Sequence, residues 1–137
     1  MTVCLDSWAL LAWLDGERPA FERVEQLLQS RPLISWVNAV EVYYRVERDH
    51  GRTEADDVLA GMRKAFELDL PGTALMIETA RLKTTLPIAL GDCFAIATAR
   101  NRKMTLLTGD PEILDRDVPC SVEDLRDSEA SDGKPGR

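Results

Sequence analysis

The chain has 137 residues, 45% of them apolar and 30% charged, the proportions of a globular domain that can bury a core without disulfide or metal staples. Its longest strongly apolar run, Trp8 to Leu14, lies between Asp6 and Asp15 and is far shorter than the ~20 residues of a membrane-spanning helix. The net charge of −7 is uneven, since residues 110–137 hold nine acidic against four basic side chains and residues 1–109 fifteen against thirteen, so net charge alone does not exclude a polyanionic substrate.

In chain order, Thr2 to Leu5 is a short apolar run that suits a buried strand. Asp6 or Ser7 can cap the helix that follows. Pro19 marks the start of a second helix, with Phe21, Val24, Leu27 and Leu28 at helical spacing. Leu33 to Val37, with Trp36 inside it, reads as a second strand, and Asn38 as the cap of a third helix ending near His50 and Gly51. A fourth helix is expected over residues 54–66, a short strand over 68–70 and a helix over 74–83. Gly91 and Asp92 open an Ala-rich helix, and Thr105 to Thr108 is a strand ending in the turn residues Gly109, Asp110 and Pro111. Val118 and Val122 flank a last short strand. Strands separated by helices pair in parallel through right-handed crossovers, so the expected fold is α/β, one domain over residues 1–125 with a central, mostly parallel sheet flanked by helices. Residues 126–137 read as a polar, flexible C-terminal tail.

The three cysteines, Cys4, Cys93 and Cys120, are widely spaced without a CxxC pair, which suits reduced thiols. Residues 1–6 have neither a basic start nor a cleavage-site pattern. Both observations point to the cytoplasm.

The functional signal is where the acidic residues fall. Asp6 and Asp110 follow strands, Asp92 begins a helix, and Glu41 lies one turn inside a helix that follows a strand. Ligands of an open parallel sheet bind beyond the carboxyl ends of its strands, so all four can reach one crevice. Carboxylates gathered there repel one another unless cations neutralise them, and an all-oxygen set favours Mg2+ or Mn2+. Each residue also has a plainer reading: helix cap for Asp6 and Asp92, turn residue for Asp110, and an i,i+4 ion pair with Arg45 for Glu41.

The local sequences separate these readings. Val3 to Trp13, Asn38 to Val42, Gly91 to Ala99 and Leu106 to Asp110 resemble, in order, the PIN-domain ribonucleases, and most of all the compact toxins of VapC type; Cys93 stands where a smaller residue is usual. The resemblance implies that Asp6, Glu41, Asp92 and Asp110 are the catalytic, metal-binding carboxylates, with Thr108 beside the last Asp and Asn38 before the Glu. It implies a Mg2+-dependent endoribonuclease, with Mn2+ as a substitute, in which an activated water attacks the phosphodiester of single-stranded RNA and leaves a 5′-phosphate. It also implies a small antitoxin partner and a homodimer. The alternatives are an RNA-processing nuclease of the same fold without a toxin role, or a non-catalytic RNA- or protein-binding module.

Arg45, Arg48 and Arg52 are spaced i, i+3 and i+7 from the direction of Asn38 and Glu41. They read either as phosphate-steering groups, Arg45 and Arg48 above all, or as a solvated face. Trp8, Trp13, Tyr43 and Tyr44 are base-stacking candidates, with core packing as the default. Met62, Met76 and the second helix are candidates for an exposed groove or dimer face. His50 is a helix-end residue and not a catalyst. A receiver module would need an acidic pair after the first strand and a late Lys, and an Asp-x-Asp phosphatase fails because position 8 is Trp.

Overall fold

Alternation along three very short strands sorts the core into two layers. In β1 (Cys4–Leu5) and β4 (Leu106–Thr108) successive side chains face opposite sides of the sheet. Leu5 and Leu107 therefore join Ile34 of β2 (Leu33–Ser35) in one apolar cluster, whereas Cys4 and Leu106 enter a second cluster across the sheet. The computed structural model describes residues 2–126.

The first layer is built from α1 (Ser7–Leu14), α2 (Ala20–Leu27), α3 (Trp36–His50) and α4 (Arg52–Ala65). Leu10, Val24, Val42, Met62 and Phe66 are its buried centre. The second layer is built from α5 (Thr73–Thr85) and α6 (Leu90–Arg102). The small residues Ala95, Ala97 and Ala99 of α6 let that helix pack closely in its cluster with Leu75, Leu82 and Leu106. The remaining elements are a 3-10 turn at Leu28–Ser30, β3 (Glu67–Asp69), the short helix α7 (Pro111–Leu114) and β5 (Val122–Asp124).

All five strands are parallel, in the order β3-β2-β1-β4-β5. The chain runs outward from β1 through β2 to β3, then returns to place β4 on the other flank of β1. The strand order therefore reverses between β1 and β4, and a crevice opens at their carboxyl ends. Among the described residues no helix is long and apolar enough to cross a membrane.

Several sequence expectations are corrected in detail. Ser35, not Asn38, caps α3: its hydroxyl accepts from the Val37 N–H at 3.2 Å, so the strand stops at Ser35 and Trp36 is the first helical residue. Trp36 is accordingly half-buried beneath the Arg63 guanidinium, not a core strand residue. The fourth helix begins at Arg52, because Gly51 takes a left-handed φ of 93° and turns the chain at once. Arg52 thus belongs to α4, and the arginine stripe of α3 ends at Arg48. The third strand is Glu67–Asp69, one residue earlier than expected, which leaves Leu70 exposed. The last strand is Val122–Asp124 and begins where the 118–122 interval ends, and its pairing with β4 runs from Leu106↔Val122 to Thr108↔Asp124. Met62 is buried and shares no exposed face with Met76. The expected tail lies outside the described residues except for Arg126, which holds Asp124 at 3.0 Å.

Candidate metal centre

Asp6, the residue after β1, is the N-cap of α1 and accepts from the Ala9 N–H at 2.9 Å through Oδ1. Its Oδ2 accepts the hydroxyl of Thr108, the last residue of β4. Thr108 Oγ1 in turn accepts the Asp110 N–H at 3.0 Å. Asp110 caps α7, accepting from the Glu112 N–H at 2.9 Å through Oδ1. The capping and ligand readings of these two residues are therefore not alternatives. The cap fixes the rotamer, and the carboxylate is held at the crevice because it is a cap.

Asp92 arrives from the first turn of α6, where the helix dipole favours a negative charge. One oxygen from each of Asp6, Asp92 and Asp110 lies within 4.8 Å of the others. That spacing suits a single small cation, because oxygens across an octahedral Mg2+ stand about 4 Å apart. Asp6 is 1% exposed. Burial pushes its carboxyl up to about 7, opposed by the hydrogen bonds from Thr108 and Ala9 and reinforced by Asp110. Burial, then the charges of Asp110 and Asp6, pushes Asp92 up to about 8. Two acids that resist ionisation beside a third carboxylate are an arrangement a divalent cation relieves.

Glu41 stands at the rim, outside the three-carboxylate group. Its Oε1 accepts from Asn38 Nδ2 at 2.9 Å, and the same amide nitrogen donates to the Gly91 carbonyl at 3.1 Å. Among the described residues no ion pair joins Glu41 to Arg45. The side-chain oxygen of Asn38 is buried without a protein partner, an acceptor open to a donor such as a water. The oxygen-only donor set and its spacing fit a hard divalent ion.

Sequence reasoning missed three contributors. Glu112 lies close enough to Asp92 to raise its proton affinity, and its Oε1 receives the Ala89 N–H at 3.4 Å, capping an α6 terminus that has no cap of its own. A Cβ on Gly109 would lie 2.2 Å from the Trp8 ring, so the indole packs flat on the peptide preceding Asp110. A Cβ on Gly91 would lie 2.3 Å from Glu41 Oε2. The two glycines were legible as motif letters, but not as sites of contact.

The structure does not bring the arginines of α3 into this set. Arg48 lies 2.9 Å from Asp49 and over the Tyr44 ring, and Arg45 lines a surface cavity of about 340 Å3 with Leu11, Asp15, Asp49 and His50. Trp13 donates to Glu25 at 2.8 Å and packs edge-on against Phe66, a core role.

A parallel α/β domain with an acidic crevice where its strand order reverses is the class these features define. The PIN domain family model matches residues 3–118, and the chain belongs to that family. No curated protein matches it by sequence. Among solved structures, DNA-bound VapBC from Salmonella typhimurium is similar with a TM-score of 0.75 at 20% identity, over 91% of this chain and 98% of that one. VapBC2 from Rickettsia felis, bound to a promoter DNA fragment, gives 0.73 at 18%, over 90% and 98%. The sarcin-ricin loop cleaving toxin VapC20 from Mycobacterium tuberculosis gives 0.67 at 13%, over 83% and 94%. At such identities these likenesses establish a shared fold.

Proposed function

We propose that this chain is a divalent-metal-dependent endoribonuclease that serves as the toxin of a toxin–antitoxin pair. The observation that carries the reading is the convergence of Asp6, Asp92 and Asp110, from three separate segments, within 4.8 Å of one another in a PIN domain. These three carboxylates would hold Mg2+ or Mn2+, with Glu41 completing the site from the rim. When bound, such an ion would polarise a coordinated water, making it a better nucleophile, and would offset charge developing on the scissile phosphate.

The chain's own residues do the rest. Thr108 donates to Asp6 and accepts from the Asp110 backbone, so it favours the charged form of Asp6 against its burial and ties both residues to β4. The Asn38 amide holds Glu41. Arg45 and Arg48, one and two turns beyond Glu41 on α3, are the proposed phosphate contacts, and Arg48 is already partly neutralised by Asp49.

The sarcin-ricin loop cleavage named for VapC20 supports the choice of RNA as substrate, and the VapBC complexes of the same fold support an antitoxin partner. A homodimer and a cytoplasmic place of action belong to the same reading, the latter in keeping with three free thiols. The test incubates antitoxin-free protein with total RNA, with Mg2+ or chelator, beside Asp6→Asn. Metal-dependent, Asp6-dependent cuts bearing 5′-phosphates are expected. Metal binding without any cleavage would point to a narrow RNA target absent from the sample, and neither metal binding nor cleavage would favour the non-catalytic module. Light scattering at twice the 15.3 kDa chain mass checks the dimer.

A further inference from the structure

Gly91 and Glu41 are in closer contact than any other residue type at position 91 would allow. A Cβ there would lie 2.3 Å from Oε2, 2.6 Å from Oε1 and 2.6 Å from Cδ of Glu41. The whole carboxylate therefore rests on the glycine backbone, one residue before Asp92. Asn38 closes the arrangement from the other side. Its Nδ2 reaches both Glu41 Oε1 at 2.9 Å and the Gly91 carbonyl at 3.1 Å, which fixes the amide's orientation. Asn38 is 1% exposed, so neither bond is exchanged readily with solvent. Position 91 lies inside α6, where glycine is a poor choice for the helix alone. The cost is explained by what the missing side chain lets in.

We infer that Gly91 and Asn38 form one positioning unit for Glu41, holding its carboxylate at the rim of the Asp6–Asp92–Asp110 centre. Gly91 makes the space and Asn38 supplies the clamp, so Glu41 is set by tertiary contact instead of by its own rotamer preference. Gly91→Ala leaves the fold intact, because the group displaced is the free end of a flexible side chain and alanine is the better helix former. What it removes is the placement of Glu41. Asn38→Ala reaches the same unit without adding a Cβ.

Two measurements test this, and only the second rests on the metal-dependent reading above. In the metal-free protein, hydrogen exchange of the Asn38 side-chain amide, followed by NMR, is slow in the wild type and accelerates roughly tenfold or more in Gly91→Ala. An unchanged exchange rate overturns the inference. In a calorimetric titration with Mn2+, Gly91→Ala, Asn38→Ala and Glu41→Gln each weaken binding by about tenfold or more. The Gly91→Ala/Glu41→Gln double variant is weaker than Glu41→Gln alone by no more than about twofold, since both remove the same interaction. Losses that multiply in the double variant overturn the positioning role. Mn2+ binding that is absent in the wild type, or undiminished in Asp6→Asn, overturns the metal-centre reading instead, and the amide exchange then decides the inference by itself.

Discussion

The hydroxyl of Thr108 donates to Oδ2 of Asp6 across the β1–β4 pair and accepts the backbone N–H of Asp110, so one side chain joins the residues that carry the first and last carboxylates of the crevice. Thr108→Val keeps the shape and removes both bonds. The Asp110 N–H loses its partner, which costs about 1–3 kcal/mol where that group is shielded from water. Asp6 loses the contact that most opposes its protonation. The expected outcome is a lower melting temperature and weaker Mn2+ binding, read by calorimetry. A variant that matches the wild type on both counts would refute the linking role.

Asp6→Asn isolates charge from shape. Asparagine caps a helix about as well as aspartate, so the bond from the Ala9 N–H survives, while the charge buried against Asp92 and Asp110 is gone. The metal-free variant should melt at or above the wild-type temperature, and its RNA cleavage should drop by about 100-fold or more. Asp6→Ala, which also removes the cap, should be less stable than Asp6→Asn by about 1 kcal/mol.

The raised proton affinities set a pH dependence. Asp6, at about 7, and Asp92, at about 8, hold protons in the folded state that the unfolded chain, near 3.8, has already released. Between about pH 4 and pH 8 the unfolded state therefore binds fewer protons, and stability falls as pH rises. Asp6 is the more deeply buried, and its share of this loss of stability at pH well above 7 is on the order of 4 kcal/mol. Thermal melts in chelator from pH 5 to pH 8.5 should decline, and Asp6→Asn should flatten the decline. Added Mg2+ or Mn2+ should raise the melting temperature mainly at the alkaline end, where the carboxylates are free to bind it.

Gly109→Ala addresses the indole that braces the Asp110 turn. Its Cβ would stand 2.2–2.4 Å from three carbons of the Trp8 ring. Unlike the Glu41 carboxylate, the rigid ring has no flexible end to swing away, so the overpacking should cost about 1–3 kcal/mol. Chemical denaturation measures the loss, and Trp8→Leu in the same background should recover part of it. An unaltered unfolding midpoint for Gly109→Ala would contradict the packing.

The class of fold was legible in the sequence, because strand, cap and turn chemistry are local and leave local signatures, and the four carboxylates stood out as candidates through their resemblance to the PIN family. Asp6 after Thr2–Leu5 and Asp110 after Thr105–Gly109 are read directly from an apolar run ending at a capping residue. Only the tertiary structure decided the strand order and the register. β1 has two residues and β2 and β4 three each, all buried, so they carry no alternation long enough to specify a partner. It likewise separated Glu41 from the three-carboxylate group, ended the arginine stripe at Arg48, and brought Glu112 to Asp92 and Gly91 to Glu41. Such pairings join residues as much as fifty positions apart through side-chain contact and excluded space. No propensity or spacing along the chain encodes them, because they exist only once the two apolar layers have packed on the sheet.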